Sequence, residues 1–314
     1  MQVKALKSGD VPIYNNLFLA PMAGFTDYAF RSVIVPLGVG ICFTELTSAK
    51  GLYYGGKNNE KLLKTDDYQR TAAQIFGRDP YFMRWAVESE YLKNYKIIDI
   101  NMGCPVPKIV KNGEGSALLS DIKLAENIIK ECVKSGKTIT VKIRSGIKQG
   151  DDIAAEFAKM AENAGASLIT IHGRVREACY SGDVDFNAIA KAKRAVKIPV
   201  IANGGIFTVE DANAMMEKTG ADGVMIARGA IADPFIFSKI SGEEISGDVK
   251  TLKDFAIKHL KKEAEISGDK RSAVEFRKFI TYYFKHVENS KLKRAKIMLS
   301  ESAEETERLL TEYL

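Results

Sequence analysis

Short apolar runs recur between residues 17 and 229, and each ends in a polar or glycine-containing turn. Their length and their β-branched and aromatic residues predict buried strands. The segments between them carry apolar residues at helical period, as in DIKLAENIIKECVKSG (121–136). The last of these segments opens with the capping pair Thr208 and Asp211 and closes at Gly220. The eight apolar runs are 17–24, 40–46, 71–77, 97–104, 138–146, 167–173, 199–205 and 223–229.

Strands that alternate with helices predict βαβ units and a parallel sheet. Eight such units in about 230 residues match a (β/α)8 TIM barrel, an α/β fold. The alternative is an open doubly wound sheet, which usually carries GxGxxG after its first strand. Here the first run ends in APMAG (20–24), and the nearest match, GEGSAL (113–118), breaks the pattern and follows no strand. We therefore predict the barrel, with an irregular crossover of little helix at 47–69.

The alternation ends near Gly247, and the rest of the chain has the pattern of about three amphipathic helices. We expect breaks between them at ISGD (266–269) and ENS (288–290). The predicted organisation is a catalytic barrel over 1–245 followed by a helical domain over 246–314.

The charge of this C-terminal part is uneven. Between Lys250 and Lys296, fourteen Lys and Arg stand against six Asp and Glu, a net charge of +8, whereas 297–314 carries one Arg against five Glu, a net charge of −4. A basic segment of this kind suits an anionic partner such as nucleic acid; a solvated, charged helix face is the other interpretation.

Composition excludes several classes of protein. An apolar content of 46% and a charged content of 27% are ordinary for a globular chain of 314 residues. No run of about 18 apolar residues and no secretory h-region occurs, so we expect a cytoplasmic protein with no membrane segment. The four cysteines lack CxxC spacing and the three histidines lack metal-ligand spacing, so we expect reduced thiols and no metal site.

In a barrel of this type, function gathers at the C-terminal ends of the strands. Every predicted strand end carries a polar or conformationally permissive residue. A barrel without a functional site would not require such residues at all eight ends. In chain order these residues are Met22 and Gly24; Glu45; Gln74; Asn101 and Cys104; Lys142 and Arg144; His172 and Arg174; Asn203 and Gly204; Arg228 and Gly229.

The last two strand ends favour phosphate binding. ANGGIFTVED (202–211) places glycines before a capped helix, and IARGAIADPF (226–235) adds Arg228. The loops after strands 7 and 8 usually bind phosphate in this fold. The other interpretation is that the glycines only allow tight turns. An inward Lys142 requires an anion or a polar ligand, and Gln74 can bond an amide-rich ring. Together these features fit flavin mononucleotide (FMN).

Six motifs follow one another along the chain: APMAGFTDYAFR, QIFGRDP, IDINMGCPVPK, VKIRSG, IHGR and DGVMIARGAIADPFIF. In these motifs, their order and their spacing the sequence resembles the tRNA-dihydrouridine synthases, and within that family the bacterial B-type branch. The resemblance covers essentially the whole chain. One departure is NGG at 203–205, where many relatives have NGD; phosphate binding by the backbone should survive it.

The resemblance implies that NADPH reduces a bound FMN, that a hydride then passes to C6 of a uracil in tRNA, and that Cys104 gives a proton to C5. A free thiol with a pKa near 8.5 is mostly protonated at neutral pH, which suits an acid. It also implies a set of cofactor residues on the isoalloxazine, its polar edge and the phosphate: Pro21, Met22, Ala23, Gln74, Lys142, His172, Asn203, Gly204, Gly205, Ala227 and Arg228.

The RNA contacts that we expect lie around the barrel mouth and on the basic segment, which we expect to bind RNA without building the flavin site. These residues are Asn101 at the uracil edge, Lys108, Arg144, Arg174 and Arg176 at phosphates, and Lys291, Lys293, Arg294 and Lys296 in the helical domain. We expect a monomer. Two alternatives keep the flavin: a reductase of a free pyrimidine metabolite, as in dihydroorotate or dihydropyrimidine dehydrogenases, and a tRNA-binding module without turnover.

Overall fold

The computed structural model describes residues 1–285, 287 and 290–313. Its strands form one small antiparallel hairpin and one parallel barrel. The strands are β1 (Leu6–Ser8), β2 (Val11–Ile13), β3 (Leu17–Leu19), β4 (Cys42–Phe43), β5 (Thr47–Ser48), β6 (Thr71–Phe76), β7 (Ile97–Met102), β8 (Thr138–Arg144), β9 (Leu168–His172), β10 (Val200–Asn203) and β11 (Gly223–Ile226).

Helices follow most of the barrel strands, and four more complete the described chain. They are α1 (Tyr28–Ile34), α2 (Ala49–Tyr53), α3 (Asn59–Leu63), α4 (Pro80–Glu88), α5 (Pro107–Lys111), α6 (Ile122–Val133), α7 (Ala154–Asn163), α8 (Phe186–Ala195), α9 (Val209–Thr219), α10 (Arg228–Ala232), α11 (Ile236–Ile240), α12 (Val249–Ser267), α13 (Asp269–Tyr283), α14 (Ser290–Ile297) and α15 (Ala303–Tyr313).

The eight predicted apolar runs each contain one strand of the barrel, in the order β3-β11-β10-β9-β8-β7-β6-β4. All neighbouring pairs in this order are parallel. Between β3 and β4 the ring is completed by the N–H of Gly40, which donates to the Leu17 carbonyl at 2.8 Å, and the N–H of Leu19, which donates to the Ile41 carbonyl at 3.0 Å. The (β/α)8 prediction is therefore confirmed, and the open doubly wound alternative is wrong because the sheet closes on itself.

The barrel interior is apolar at its N-terminal end and polar at its mouth. Phe18, Ile97, Leu168 and Ile201 belong to the apolar interior cluster, on which Ile13 of the β1–β2 hairpin also packs. Alternating residues of the same strands face the helices and join the main hydrophobic cluster. This layering leaves the C-terminal strand ends as the place where polar side chains meet.

The crossover at 47–69 is more helical than predicted. It contains the short strand β5 and the helices α2 and α3. The Ser48 hydroxyl accepts the Gly51 N–H at 3.1 Å and caps α2, while Leu52 and Leu63 are buried. The prediction of a loop with little helix was wrong because these helices are single turns, too short for a helical period to emerge.

The C-terminal part contains four helices among the described residues, not about three. The break predicted at 266–269 is confirmed, since α12 ends at Ser267 and α13 begins at Asp269. The additional break precedes α15, where the Ser302 hydroxyl accepts the Glu305 N–H at 3.0 Å. The break predicted at 288–290 falls partly on residues 288 and 289, outside the described residues.

Aromatic side chains join these helices to the barrel. Phe30 of α1 stacks on Phe279 of α13 at 5.5 Å, and His259 of α12 lies 4.5 Å from Phe279. Buried residues of α12 and α13 belong to the same hydrophobic cluster as the outer face of the barrel. The division into domains at 245/246 stays a prediction. Within the described chain, no helix combines the length and hydropathy that crossing a bilayer would require.

Candidate active site at the barrel mouth

A cavity of about 540 Å³ opens at the C-terminal ends of the barrel strands. This volume lies in the range of small-molecule and cofactor sites. All eight strand ends contribute to its lining, but at the second the contributing residue is Leu46 and not Glu45, whose carboxylate instead accepts the Gly24 N–H at 2.6 Å. The lining includes Cys104 and all the predicted cofactor residues, namely Pro21, Met22, Ala23, Gln74, Lys142, His172, Asn203, Gly204, Gly205, Ala227 and Arg228.

The turn that carries Cys104 is held by hydrogen bonds on both of its sides. The Asn101 side-chain oxygen accepts the N–H groups of Gly103 at 3.1 Å and Cys104 at 2.9 Å. Arg144 Nε donates to the Gly103 carbonyl at 2.8 Å. The N–H and the hydroxyl of Ser116 donate to the Cys104 carbonyl at 3.0 and 2.8 Å. The thiol is therefore presented at the mouth by a fixed backbone.

Burial raises the pKa of the Cys104 thiol above its ordinary value. A hydrogen bond from the Val106 N–H and the positive charges of Arg144 and Lys142 act in the opposite direction but do not outweigh it. The group consequently keeps its proton at neutral pH, as an acid requires and a nucleophilic thiolate does not.

A chain of buried side chains stands behind this turn. Asn101 Nδ2 donates to Gln74 Oε1 at 2.9 Å, and Gln74 Nε2 donates to Asp99 Oδ2 at 2.7 Å. The Thr140 hydroxyl donates to Asp99 Oδ1 at 2.6 Å. Burial raises the pKa of Asp99 to about 6, against the two hydrogen bonds and the charge of Lys142. At neutral pH Asp99 is thus mostly an acceptor, which fixes the orientation of both amides.

Sequence reasoning missed Asp99 and Thr140. The available signal was strand alternation, because Asp99 shares the inward face of β7 with Asn101, two residues on. In the register of β7 and β8, Thr140 is the partner of Asp99 and Lys142 is the partner of Asn101.

Lys142 meets the expectation that an inward lysine has a polar ligand. Its Nζ donates to Asn203 Oδ1 at 3.1 Å, and Asn203 Nδ2 donates to the Met225 carbonyl at 2.7 Å. Burial, with the nearby charge of Arg144, lowers the pKa of Lys142 to about 8. These two bonds leave one hydrogen of Asn203 Nδ2 and one lone pair of its Oδ1 for a ligand.

His172 is a neutral hydrogen-bonding ring in this environment. Burial, followed by the charges of Lys142, Arg144, Arg174 and Arg228, lowers its pKa to about 2. The ring is therefore uncharged at neutral pH in this environment. The same four cations make the cavity electropositive, which attracts an anionic ligand.

The loop after β10 forms a backbone cradle. Gly204 and Gly205 have φ of +121° and +69°, and a Cβ on Gly204 would lie 2.8 Å from His172 Cδ2. Among the described residues, the N–H groups of Gly204 and Gly205 have no acceptor. The Arg228 guanidinium lies 5.2 Å from the Tyr180 ring, beside this loop. Free amides beside a cation fit a phosphate group.

The predicted RNA contacts fall into two groups. Asn101, Arg144 and Arg174 line the cavity, but much of their hydrogen-bonding capacity is already used. Arg144 Nη1 donates to the carbonyls of Val175 at 3.1 Å and Cys179 at 2.7 Å, and Arg174 Nε donates to Gly182 at 2.9 Å. The structure does not bring the other residues into the cavity: Lys108, Arg176, Lys291, Lys293, Arg294 and Lys296.

One wall of the cavity comes from the C-terminal helices, against our expectation that they take no part in building it. Tyr282 of α13 lines the cavity, and its ring lies 5.8 Å from that of Phe25, edge to face. The amphipathic pattern of α13 gives its apolar face but not the element on which that face packs, so the sequence carried no signal for this contact.

Comparison with known proteins gives a consistent family. The family model described as dihydrouridine synthase (Dus) matches residues 18–314. The probable tRNA-dihydrouridine synthase of Rickettsia conorii is 34% identical over 91% of this chain and 89% of its own. For tRNA-dihydrouridine synthase B the identity is 38% in Pseudomonas syringae pv. tomato, over 80% of this chain and 74% of that one. In Vibrio cholerae it is 32%, over 96% of both chains.

Solved structures show a similar barrel. Histamine dehydrogenase from Rhizobium sp. 4-9 superposes with a TM-score of 0.60 at 14% identity, over 82% of this chain and 50% of that one. TcOYE superposes with a TM-score of 0.56 at 11% identity, over 76% of this chain and 92% of that one. The chain spans about half the length of that dehydrogenase, and at these identities the likeness concerns the fold alone.

Proposed function

The chain belongs to the dihydrouridine synthase family, matching its bacterial B-type members, and we propose that it reduces uridines in tRNA to 5,6-dihydrouridine with a bound FMN and NADPH as reductant. The observation that carries the mechanism is a protonated thiol, Cys104, on a fixed turn at the mouth of an electropositive cavity. Family membership implies a flavin, and the donors of the cavity suit one.

FMN has a phosphate at one end and a ring system with polar edges at the other. The free amides of Gly204 and Gly205 would bind the phosphate, with Ala227 beside them and Arg228 as the counter-charge. When bound, this cofactor supplies the hydride that adds to C6 of the uracil.

The ring end of the cofactor would meet Lys142, Gln74 and His172, with residues 21–23 along its plane. Gln74 Nε2 donates one of its two hydrogens to a hydrogen bond with Asp99, and Gln74 Oε1 accepts a hydrogen bond from Asn101 with one of its two lone pairs. One N–H donor and one lone pair therefore remain on Gln74 for the ring. Lys142 places positive charge at the edge where negative charge accumulates on reduction.

Cys104 would complete the reaction from the side of the substrate. Its S–H bond breaks as the proton passes to C5, while C6 takes the hydride, so the C5–C6 double bond becomes a single bond. The thiolate that remains regains a proton from solvent. The fixed turn matters because the sulfur must reach C5 of a base that has left its stack.

The substrate we propose is tRNA because the similar proteins are tRNA-dihydrouridine synthases and the chain carries basic segments beyond the cavity. One hydrogen of Asn101 Nδ2 remains for the uracil edge, and Arg144, Arg174, Lys108 and Arg176 stand near the mouth or on its loops. A free pyrimidine metabolite, the alternative substrate, would leave the basic helices without a role.

The test is a single-turnover reaction of reduced enzyme with unmodified tRNA, read by mass spectrometry of dihydrouridine. Cys104→Ala should bind FMN and take up hydride from NADPH normally, yet form product roughly 10²-fold more slowly, the usual worth of a positioned acid. Cys104→Ser should also be slow, because a hydroxyl is a much weaker acid.

The matched control is Cys179→Ala. Cys179 is an exposed thiol on a neighbouring loop, and only its backbone carbonyl bonds Arg144. This variant should react at the wild-type rate. Product formation by Cys104→Ala at the wild-type rate would refute the role of the thiol, and wild-type enzyme that forms no dihydrouridine would refute the function.

A further inference from the structure

Three tyrosine rings form an exposed aromatic surface beside the cavity, which we name the tyrosine platform: Tyr53, Tyr54 and Tyr81. Their exposed fractions are 37%, 68% and 62%. Tyr53 is the centre, with ring centroids 5.0 Å from Tyr54 and 6.1 Å from Tyr81. Beneath it pack Phe82 at 4.9 Å and Trp85 at 5.0 Å. Water-facing aromatic rings with a rigid base are typical of binding surfaces.

The platform lies at the same end of the barrel as Cys104. Tyr53 and Tyr54 end α2, which follows β5, and Tyr81 lies in the first turn of α4, which follows β6. The Asp79 carboxylate accepts the Tyr81 N–H at 2.9 Å and sets where α4 begins. Both helices therefore start from the mouth of the barrel.

A short loop connects the platform with the catalytic turn. A Cβ on Gly113 would lie 3.2 Å from the Arg78 guanidinium, and a Cβ on Gly115 would lie 2.9 Å from the Cys104 carbonyl. Arg78 precedes Tyr81 by three residues, so this loop joins the start of α4, which carries Tyr81, to the turn that holds the thiol.

Basic residues lie on the segments that carry the platform and on the adjoining loop. Segments 49–58, 77–82 and 106–114 contain five Lys and Arg, all exposed, against two acidic residues. The Asp79 carboxylate is engaged in the cap of α4, and Glu114 is half-buried with Lys50 and Arg78 as its neighbouring charges. The five basic residues are Lys50, Lys57, Arg78, Lys108 and Lys111.

We propose that the tyrosine platform binds unpaired nucleotides of the tRNA, with bases stacked on Tyr54 and Tyr81 and phosphates on the basic residues around them. Aromatic faces within a positive surface are the usual means of holding unstacked RNA. The excess of positive charge favours RNA over a protein partner, and continuity with the Cys104 turn favours the substrate itself. This inference rests on the proposed function and adds a second tRNA surface to it, distinct from α12–α14.

The test measures the dissociation constant of unmodified tRNA and its salt dependence for the full-length holoenzyme. Tyr54→Ala and Tyr81→Ala should each weaken binding by roughly 5-fold or more, the lower end of the effect of one stacked base. Tyr54→Phe and Tyr81→Phe should bind as wild type, because the stacking face remains. Lys57→Gln with Lys111→Gln should reduce the slope of log K against log salt by roughly one to two.

The matched control is Tyr14→Ala. Tyr14 is 68% exposed, as Tyr54 is, but precedes β3 at the opposite end of the barrel. It should leave tRNA affinity and product formation unchanged. Unchanged tRNA affinity in both platform alanine variants would overturn the proposal. If their sedimentation changes at the same time, the platform is a contact between copies of the chain and not an RNA surface. In either case dihydrouridine formation by wild-type enzyme would leave the proposed function standing.

Discussion

Lys142 is the charged residue of the cavity whose protonation responds most directly to pH near neutrality. Its ammonium group bonds Asn203, and burial with the charge of Arg144 brings its pKa to about 8. A ring edge that accepts a hydrogen bond from the ammonium favours the charged form and raises this lowered pKa, so binding takes up a proton above pH 8. Below about pH 7 the lysine is already charged in the free protein, and no uptake is needed.

We therefore predict that FMN affinity falls by no more than about twofold between pH 7 and 8 and then falls as the pH rises from 8 to 9.5, by up to tenfold per pH unit. The FMN phosphate contributes nothing to this slope, because its second pKa lies near 6. Fluorescence titration of the apoprotein with FMN measures the effect. Lys142→Met should bind more weakly at pH 7 and lose the slope. A slope that persists in Lys142→Met would assign the proton to another group.

Asp99 determines what the neighbouring amides offer to a ligand. An ionised carboxylate accepts hydrogen bonds only, so Gln74 must turn its NH₂ group toward Asp99 and its oxygen toward Asn101. Asn101 must then turn its own oxygen to the N–H groups of Gly103 and Cys104. One buried carboxylate thereby orients both the cofactor side and the thiol side of the site.

At the scale of single elements, the loop after β10 has the strictest backbone requirement. Gly204→Ala would combine a φ of +121° with a Cβ placed 2.8 Å from His172. We predict a loss of stability of about 1–3 kcal/mol and a clear fall in FMN content, measured by denaturant unfolding and by absorbance of the purified protein.

Gly136→Ala separates backbone strain from the steric clash. Gly136 has a φ of +75°, but no heavy atom lies within 4 Å of the Cβ position. It should lose about 1–2 kcal/mol with normal FMN content. Equal FMN content in the two purified variants would show that the loop after β10 does not hold the phosphate.

The sequence predicted the elements whose pattern is long or repeated. Eight buried strands at regular spacing were predictable because each ends at a turn and a helix follows most of them. The helices α2 and α3 were not, since a five-residue helix is decided by a local cap such as Ser48 and by burial of one or two leucines. The side chains at the mouth were predictable one by one, because strand ends converge in a closed barrel.

Pairings between side chains were beyond the sequence. The role of Asn101 at the uracil stays a prediction, and the sequence did not show that its oxygen also bonds the Gly103–Cys104 backbone. The role of Arg144 at a phosphate likewise stays a prediction, and the sequence did not show that its guanidinium joins Gly103 to the loop that contains Cys179. Such choices depend on distances of a few tenths of an ångström between strands and loops, which composition and periodicity do not encode.

At the scale of the whole molecule, the cavity and the C-terminal helices form a continuous structure. Phe25 lies between Tyr282 and Phe279 of α13, with ring centroids at 5.8 and 5.6 Å. Phe25 belongs to the same β3–α1 loop as Pro21 and Met22, which line the cavity. A tRNA bound on the helices would therefore rest on the same packed aromatic residues that shape the mouth.

The basic helices provide a last prediction, with α14 as its subject. Arg294 donates to the Thr281 carbonyl at 3.1 Å and Lys296 lies 4.8 Å from the Tyr313 ring, so replacing either one disturbs packing as well as charge. Lys291 is exposed and Lys293 partly so. The pair Lys291→Gln and Lys293→Gln should weaken tRNA binding and make log K against log salt shallower by roughly one to two, because fewer counterions are released.

The control pair is Lys4→Gln with Lys7→Gln, two exposed lysines at the opposite end of the barrel. It removes the same net charge from the protein, so any effect of overall charge on steering appears equally in both pairs. A contact at α14 predicts a shallower slope only in the Lys291 and Lys293 pair, with FMN content equal in both. Equal slopes of log K against log salt in the two pairs would mean that α14 does not bind tRNA. The remaining salt dependence would then be assigned to the tyrosine platform.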